Sequence, residues 1–129
     1  MNKTFLTLLL SLTISFAIAQ TQLEINQTAF EKSKKADKEL NSVYQKILKE
    51  YAQDTAFIKN LKISQRIWVK FRDAEMKVKY PDRPIGEYGS IQPMCASEYL
   101  TGLINERIKK LNEWITGAAE GDPCSGSVN

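Results

Sequence analysis

Apolar residues recur at helical spacing along three stretches of the chain. Residues 28–51 contain neither Pro nor Gly, and Phe30, Leu40, Tyr44, Ile47, Leu48 and Tyr51 fall on one side of a helix, opposite Lys32, Lys35, Lys38, Lys46 and Lys49. Asp54 and Thr55 offer an N-cap for a second helix running to about Lys79, just ahead of Pro81. Its fully polar sector holds Lys62, Arg66, Lys70, Asp73 and Lys77 and is about 80° wide. Phe57, Ile58, Leu61, Ile63, Ile67, Trp68, Val69, Phe71, Met76 and Val78 spread over the remainder, which predicts packing against more than one neighbour and places this helix at the centre of the fold. A third helix is expected over residues 94–115, with Leu100, Leu103, Ile104, Ile108, Leu111, Trp114 and Ile115 on one broad side and Gly117 as its C-cap.

Between the second and third helices, residues 80–93 carry three prolines and two glycines and read as a loop. The expected fold is all-α: a small bundle of three main antiparallel helices with a Pro/Gly-rich connection between the second and third. Residues 117–129 are small, polar and breaker-rich, so this C-terminal tail has only its cysteine to order it. No internal repeat and no second domain is visible.

The N-terminus changes the picture. Lys3, the apolar run over residues 5–18 and Ala17-Ile18-Ala19 have the layout of a signal peptide, with cleavage expected before Gln20. The run is shorter than the roughly 20 residues of a bilayer span, and no cysteine follows the cleavage site to carry a lipid. Residues 1–19 are therefore expected to be removed, leaving residues 20–129 as one helical domain, periplasmic or secreted, with no membrane span.

The 129 residues include 18 Lys and Arg, 15 Asp and Glu and no His, for a net charge of +3. Neither disorder nor a polybasic nucleic-acid arm fits that balance. Without histidine, hydrolysis by a His-activated nucleophile and His-ligated zinc are excluded, while carboxylate and lysine chemistry are not. No residue pattern calls for a cofactor or a metal.

Helical wheels place several polar groups on inward faces: Asp37 and Asn41 in the first helix, Gln65, Arg72 and Glu75 in the second, Arg107 in the third. Charges so placed must be paired, so Arg72 and Arg107 are expected to staple the helices through Asp37 and Glu75. The competing reading makes Asp37 and Glu75 an acid-base pair as in glycosidases, but neighbouring arginines would hold both ionised and unsuited to a general acid. Trp68 and Trp114 sit within apolar stripes and are expected in the core. In the loop, Glu87, Tyr88 and Ser90 beside Gly86 and Gly89 suggest a mobile exposed tip, and with Asp82 they form a candidate partner-binding loop.

Cys95 and Cys124 are the only cysteines, and an exported chain usually oxidises such a pair. A straight helix over residues 95–117 would be about 33 Å long. The seven steps back to Cys124 reach at most about 25 Å, and the bridged Cα atoms add about 6 Å. Either the third helix starts after Cys95 or ends before Ile115, or the thiols stay apart; an irregular first turn with the bridge formed is the preferred reading.

The stretches ADKELNSVY (36–44), QRIWVKFRDAE (65–75), YGSIQP (88–93) and NERIKKL (105–111) together resemble the LprI-like lysozyme-inhibitor domain family of exported bacterial proteins. The motif positions are Asp37, Asn41, Tyr44, Gln65, Trp68, Arg72, Asp73 and Arg107. The resemblance implies a small helical envelope domain that is not an enzyme and that binds a lysozyme-type muramidase or another envelope protein. Where the family commonly has cysteines after the Arg-Asp-Ala-Glu stretch and early in the last helix, this chain has Met76 and Tyr99. Two functions follow as expectations. One is an inhibitor that offers residues 82–92 to a muramidase cleft; the alternative is a structural or interaction module of the envelope that binds a protein or peptidoglycan through its lysine face. Losing Lys3 with the leader would leave a charge of about +2, without strong complementarity to a basic animal lysozyme, although Asp82, Glu87, Glu120 and Asp122 could gather into an acidic patch.

Overall fold

Asp54 sets the first reversal of the chain. Its N–H donates to the Tyr51 carbonyl at 2.9 Å, closing one helix, and its carboxylate accepts the Phe57 N–H at 2.9 Å, opening the next. The computed structural model describes the backbone of residues 3–128 and the side chains of residues 19–128. Among these residues there are three helices and no strand: α1 (Lys3–Glu50), α2 (Thr55–Lys79) and α3 (Gln92–Thr116). The predicted leader, residues 1–19, lies outside the described side chains except for Ala19. Among the described residues, no helix is long and apolar enough to cross a membrane.

The helices run up, down and up. Asn26 Nδ2 of α1 donates to the Ser90 carbonyl just ahead of α3, and the Tyr51 hydroxyl donates to the Trp114 carbonyl near the other end, so α1 and α3 are parallel. α2 is antiparallel to both. α1 also takes in residues 20–27, ahead of the expected start at 28; no Pro or Gly interrupts them, and Asn26 is held at the loop.

Burial follows one stripe on each of the two parallel helices. On α1 it comprises Ala29, Ser33, Ala36, Leu40, Ile47 and Tyr51, and on α3 Thr101, Ile104, Ile108 and Leu111. The upper half of the α1 stripe is made of small residues, which allow close approach of helix axes. Its polar members cost little, because Ser33 Oγ donates to the Phe30 carbonyl and Thr101 Oγ1 to the Ser97 carbonyl, each at 2.7 Å. At the lower end, Tyr51, Phe57 and Trp114 form an aromatic cluster with centroid separations of 4.6 and 6.1 Å.

Three expectations are overturned. α2 is not central: Leu61 is its only buried residue, while Ile63, Ile67, Phe71 and Val78 are exposed. α1 and α3 pack directly on each other and leave α2 one shared furrow, which only part of its apolar surface enters. Second, Cys95 and Cys124 are free thiols. α3 is regular from Gln92, with Pro93 in its first turn, so Cys95 sits near the start of a helix whose far end carries the tail. The reach argument therefore holds in its unbridged form. Third, the tail is ordered without its cysteine. After Gly117 caps α3 at φ 80°, the Trp114 indole donates to Ser127 Oγ at 3.0 Å, and Asp122 accepts the Cys124 N–H at 2.8 Å.

Candidate functional site

The polar motif residues converge on one groove. Asp37, Asn41 and Tyr44 from α1 face Gln65, Trp68 and Arg72 from α2 across a furrow of about 280 Å³. Helical spacing accounts for this, because 37, 41 and 44 share one side of α1, and 65, 68 and 72 share one side of α2. Tyr44, Gln65, Trp68 and Arg72 are half-buried, the Arg72 side chain with 20% exposed. Arg72 Nη1 lies 3.5 Å from Asp37 and its Nη2 2.8 Å from Asp73, while both carboxylates are about 60% exposed. Asp37 and Asn41 therefore stand at the rim of the groove rather than inside the core, which corrects the inward placement drawn from the wheels.

Arg107 and Glu75 do not pair. Arg107 Nε donates to Gln65 Oε1 at 3.0 Å and Nη2 to Ser64 Oγ at 3.1 Å, while Glu75 accepts from the Tyr99 hydroxyl at 2.9 Å. Both guanidinium groups lie over the Trp68 ring, at 5.5 Å for Arg72 and 5.9 Å for Arg107. Burial pushes the Arg107 guanidinium down from its ordinary pKa. The hydrogen bond to Glu75 pushes the Tyr99 phenol up, keeping it a donor. Tyr99 and the neighbour of Met76 thus join α2 to α3 where the resemblance leads one to look for cysteines.

These contacts set the expected stability of arginine variants. Arg72→Met removes ion pairs with exposed acids and a ring contact, so a loss of about 1 kcal/mol is expected. Arg107→Met, which leaves Gln65 without a donor, should cost about 1–2 kcal/mol. Urea denaturation of the two variants checks the order and the size; a loss above about 3 kcal/mol would point instead to a buried, paired charge.

The connection between α2 and α3 is a built structure rather than a mobile tip. Successive turns close through Glu87 N–H to Pro84 O at 3.1 Å and Gly89 N–H to Gly86 O at 3.0 Å, with Gly86 and Gly89 at φ 87° and 74°, where a side chain would be strained. The Tyr88 hydroxyl donates to the Pro81 carbonyl at 2.9 Å, and the Tyr88 ring meets Tyr80 edge-on at 5.9 Å. Tyr80 in turn meets Tyr99 at 6.4 Å, and burial raises its phenol above the ordinary value. Asn26 fixes the Ser90 carbonyl from α1.

At the apex stands Ile85, fully exposed, between Pro84 and Gly86 and close to the Arg83–Glu87 ion pair at 3.8 Å. All four residues expected to meet a partner, Asp82, Glu87, Tyr88 and Ser90, are exposed, although the Tyr88 hydroxyl is used inside the loop and the Ser90 carbonyl is held by Asn26. Sequence reasoning missed Ile85; its signal was a large apolar residue in a segment with no core to enter. The expected acidic patch does not form. Asp82 and Glu87 lie at the start of α3 and Glu120 and Asp122 beyond its end, with a 25-residue helix between them that is about 37 Å long.

Residues 17–111 match the family described as Lysozyme inhibitor LprI. The match spans most of the chain and takes in the groove residues and the loop, and the protein belongs to this family. No curated protein and no solved structure matches the chain.

Proposed function

We propose that this chain is an exported, non-catalytic, single-domain protein that inhibits a lysozyme-type muramidase by direct binding, presenting the loop over residues 82–92 to the enzyme. Family membership supplies the target class. The observation that carries the choice of surface is the fully exposed Ile85 at the apex of a loop pinned to all three helices. A preordered loop loses little entropy on binding, so an apolar anchor at its tip keeps most of its transfer free energy. Asp37 and Glu75 have separate partners, Arg72 and Tyr99.

An apolar tip beside an internally neutralised ion pair gives association without strong electrostatic steering. The on-rate should lie near the unsteered range of about 10⁵–10⁶ M⁻¹s⁻¹ and change little with salt. Ile85→Asp should weaken inhibition by about thirtyfold or more, as loss of a central anchor does, and leave the melting curve close to wild type. The check is muramidase inhibition and titration calorimetry against lysozymes of several types, with Asp37→Ala and Asn41→Ala as the comparison. If the groove variants lose inhibition while Ile85→Asp retains it, the inhibitory surface is the α1/α2 groove and not the loop.

A further inference from the structure

α2 has a second apolar face that none of the described residues covers. Asn60, Ile63, Ile67, Phe71, Ala74 and Val78 recur at steps of three or four and are all exposed, with Ile67 at 61%, Phe71 at 53% and Val78 at 75%. A continuous apolar seam of this length on a surface calls for an occupant. Shallow apolar grooves lie on either side of Ile63 and Ile67, one bounded by Lys70 and the other by Phe71 and Trp68. Asn60 is a polar position within the seam, of the kind that sets register when two helices pair.

Charge is distributed unevenly about this seam. Lys59, Arg66, Lys70 and Lys77 stand along one flank, and none forms an ion pair with a described residue; Asp73, the acid on that flank, is taken up by Arg72 at 2.8 Å, and Arg66 donates only to the Lys62 carbonyl, at 3.3 Å. The other flank, against α3, carries Ser64, Trp68 and Glu75, with Ser64 bonded to Arg107 and Glu75 to Tyr99. A second copy of the chain suits this face poorly, because a two-fold antiparallel pairing of α2 lays one basic flank on the other. A parallel pairing instead brings the basic flank to the side where Arg107 stands. On a bilayer the cations would reach headgroups from both sides of the seam, whereas Lys59, Arg66, Lys70 and Lys77 gather on one side and Arg107, on the other, is turned onto Gln65 and Ser64.

We propose that the outward face of α2 is a docking surface for an acidic amphipathic helix of a partner protein. The partner's apolar residues enter the grooves beside Ile63 and Ile67, and its carboxylates meet Lys59, Arg66, Lys70 and Lys77. This is the helix-in-groove mode of recognition, with the partner supplying countercharge to cations that pair with no described residue. The surface is distinct from the Ile85 loop, and its requirement for an acidic occupant sets it apart from a basic lysozyme.

The test uses two labelled synthetic helices of about 21 residues with the same leucine seam, one carrying Glu and the other Lys at the flanking positions, titrated into the full domain by fluorescence anisotropy. At low ionic strength the Glu helix should bind at least about tenfold tighter than the Lys helix, and the difference should shrink as salt rises. Ile67→Asp should weaken Glu-helix binding by about thirtyfold. Arg66→Glu with Lys70→Glu should reverse the preference between the two helices. These positions are exposed, so circular-dichroism melts of the variants should match wild type, and Ile85→Asp should bind the Glu helix normally. Equal affinity for the two helices, or binding to neither, would overturn the proposal. So would a dimer in sedimentation that Ile67→Asp dissolves, or retention on phosphatidylglycerol vesicles that Ile67→Asp abolishes.

Discussion

Ile47→Ala should destabilise the domain by about 3–4 kcal/mol, the range for removing a large aliphatic side chain from a site that cannot collapse. Ile47 has no exposed surface, and it joins Ile104 and Leu111 as the largest fully enclosed side chains of the α1/α3 contact. Each kilocalorie should lower the melting temperature of a domain of this size by roughly 4–8 °C, so the expected drop exceeds about 12 °C. Ile67→Ala removes the same atoms from a side chain that is 61% exposed, and should change stability by less than about 0.5 kcal/mol. Thermal melts of the pair separate the architecture seen here from one with α2 in the centre, since a central α2 would make the two losses comparable.

The sequence spoke clearly where the determinants were local. Asp54 caps α2, Gly117 ends α3, and the prolines and glycines of residues 80–93 break the chain, each through interactions within a few residues. The position of α2 depended on what α1 and α3 do together, which its own wheel does not contain. A broad apolar surface is equally compatible with two neighbours in the same chain and with one neighbour inside and another outside it. The small residues Ala29, Ser33 and Ala36 were the signal that α1 lies close to another helix, but a reading weighted by large apolar side chains passed over them.

The polar network was half legible for a related reason. A wheel gives the side of a helix on which a residue stands, not its height along the axis. Arg72 and Asp37 agreed in both and meet, whereas Arg107 shared a side with Glu75 at a different height. Moving down α2 from Glu75 to Gln65 is matched by moving up α3 from Tyr99 to Arg107, so the antiparallel register decides both partners. For the cysteines, the chain-length argument described the geometry correctly, and the habit of exported proteins to oxidise their thiols favoured the opposite reading. Ile85 stayed hidden because an isoleucine is ordinarily counted toward a core.

Ala36→Leu should cost about 2–3 kcal/mol, and it tests why α1 lies on α3 instead of on α2. Ala36 is 6% exposed and lies one turn from Ser33 at 5%, with Ala29 at 7% a turn further up the stripe. Side chains of that size set a short distance between the axes, and three added carbons have no space to enter without moving a helix or leaving a rotamer minimum. The hydroxyls of Ser33 and Thr101 donate within their own helices, so they do not hold the two axes apart by bonding to each other. Ala74→Leu provides the contrast. Ala74 sits on the outward face of α2, where the same three carbons meet open solvent and the good helix propensity of Leu leaves stability within about 0.5 kcal/mol of wild type. Denaturant midpoints for the two variants should therefore differ widely although the substitution is identical. If Ala36→Leu melted with wild type, the α1/α3 contact would not be close-packed at its upper end, and the furrow that receives Leu61 and Trp68 would have no fixed width.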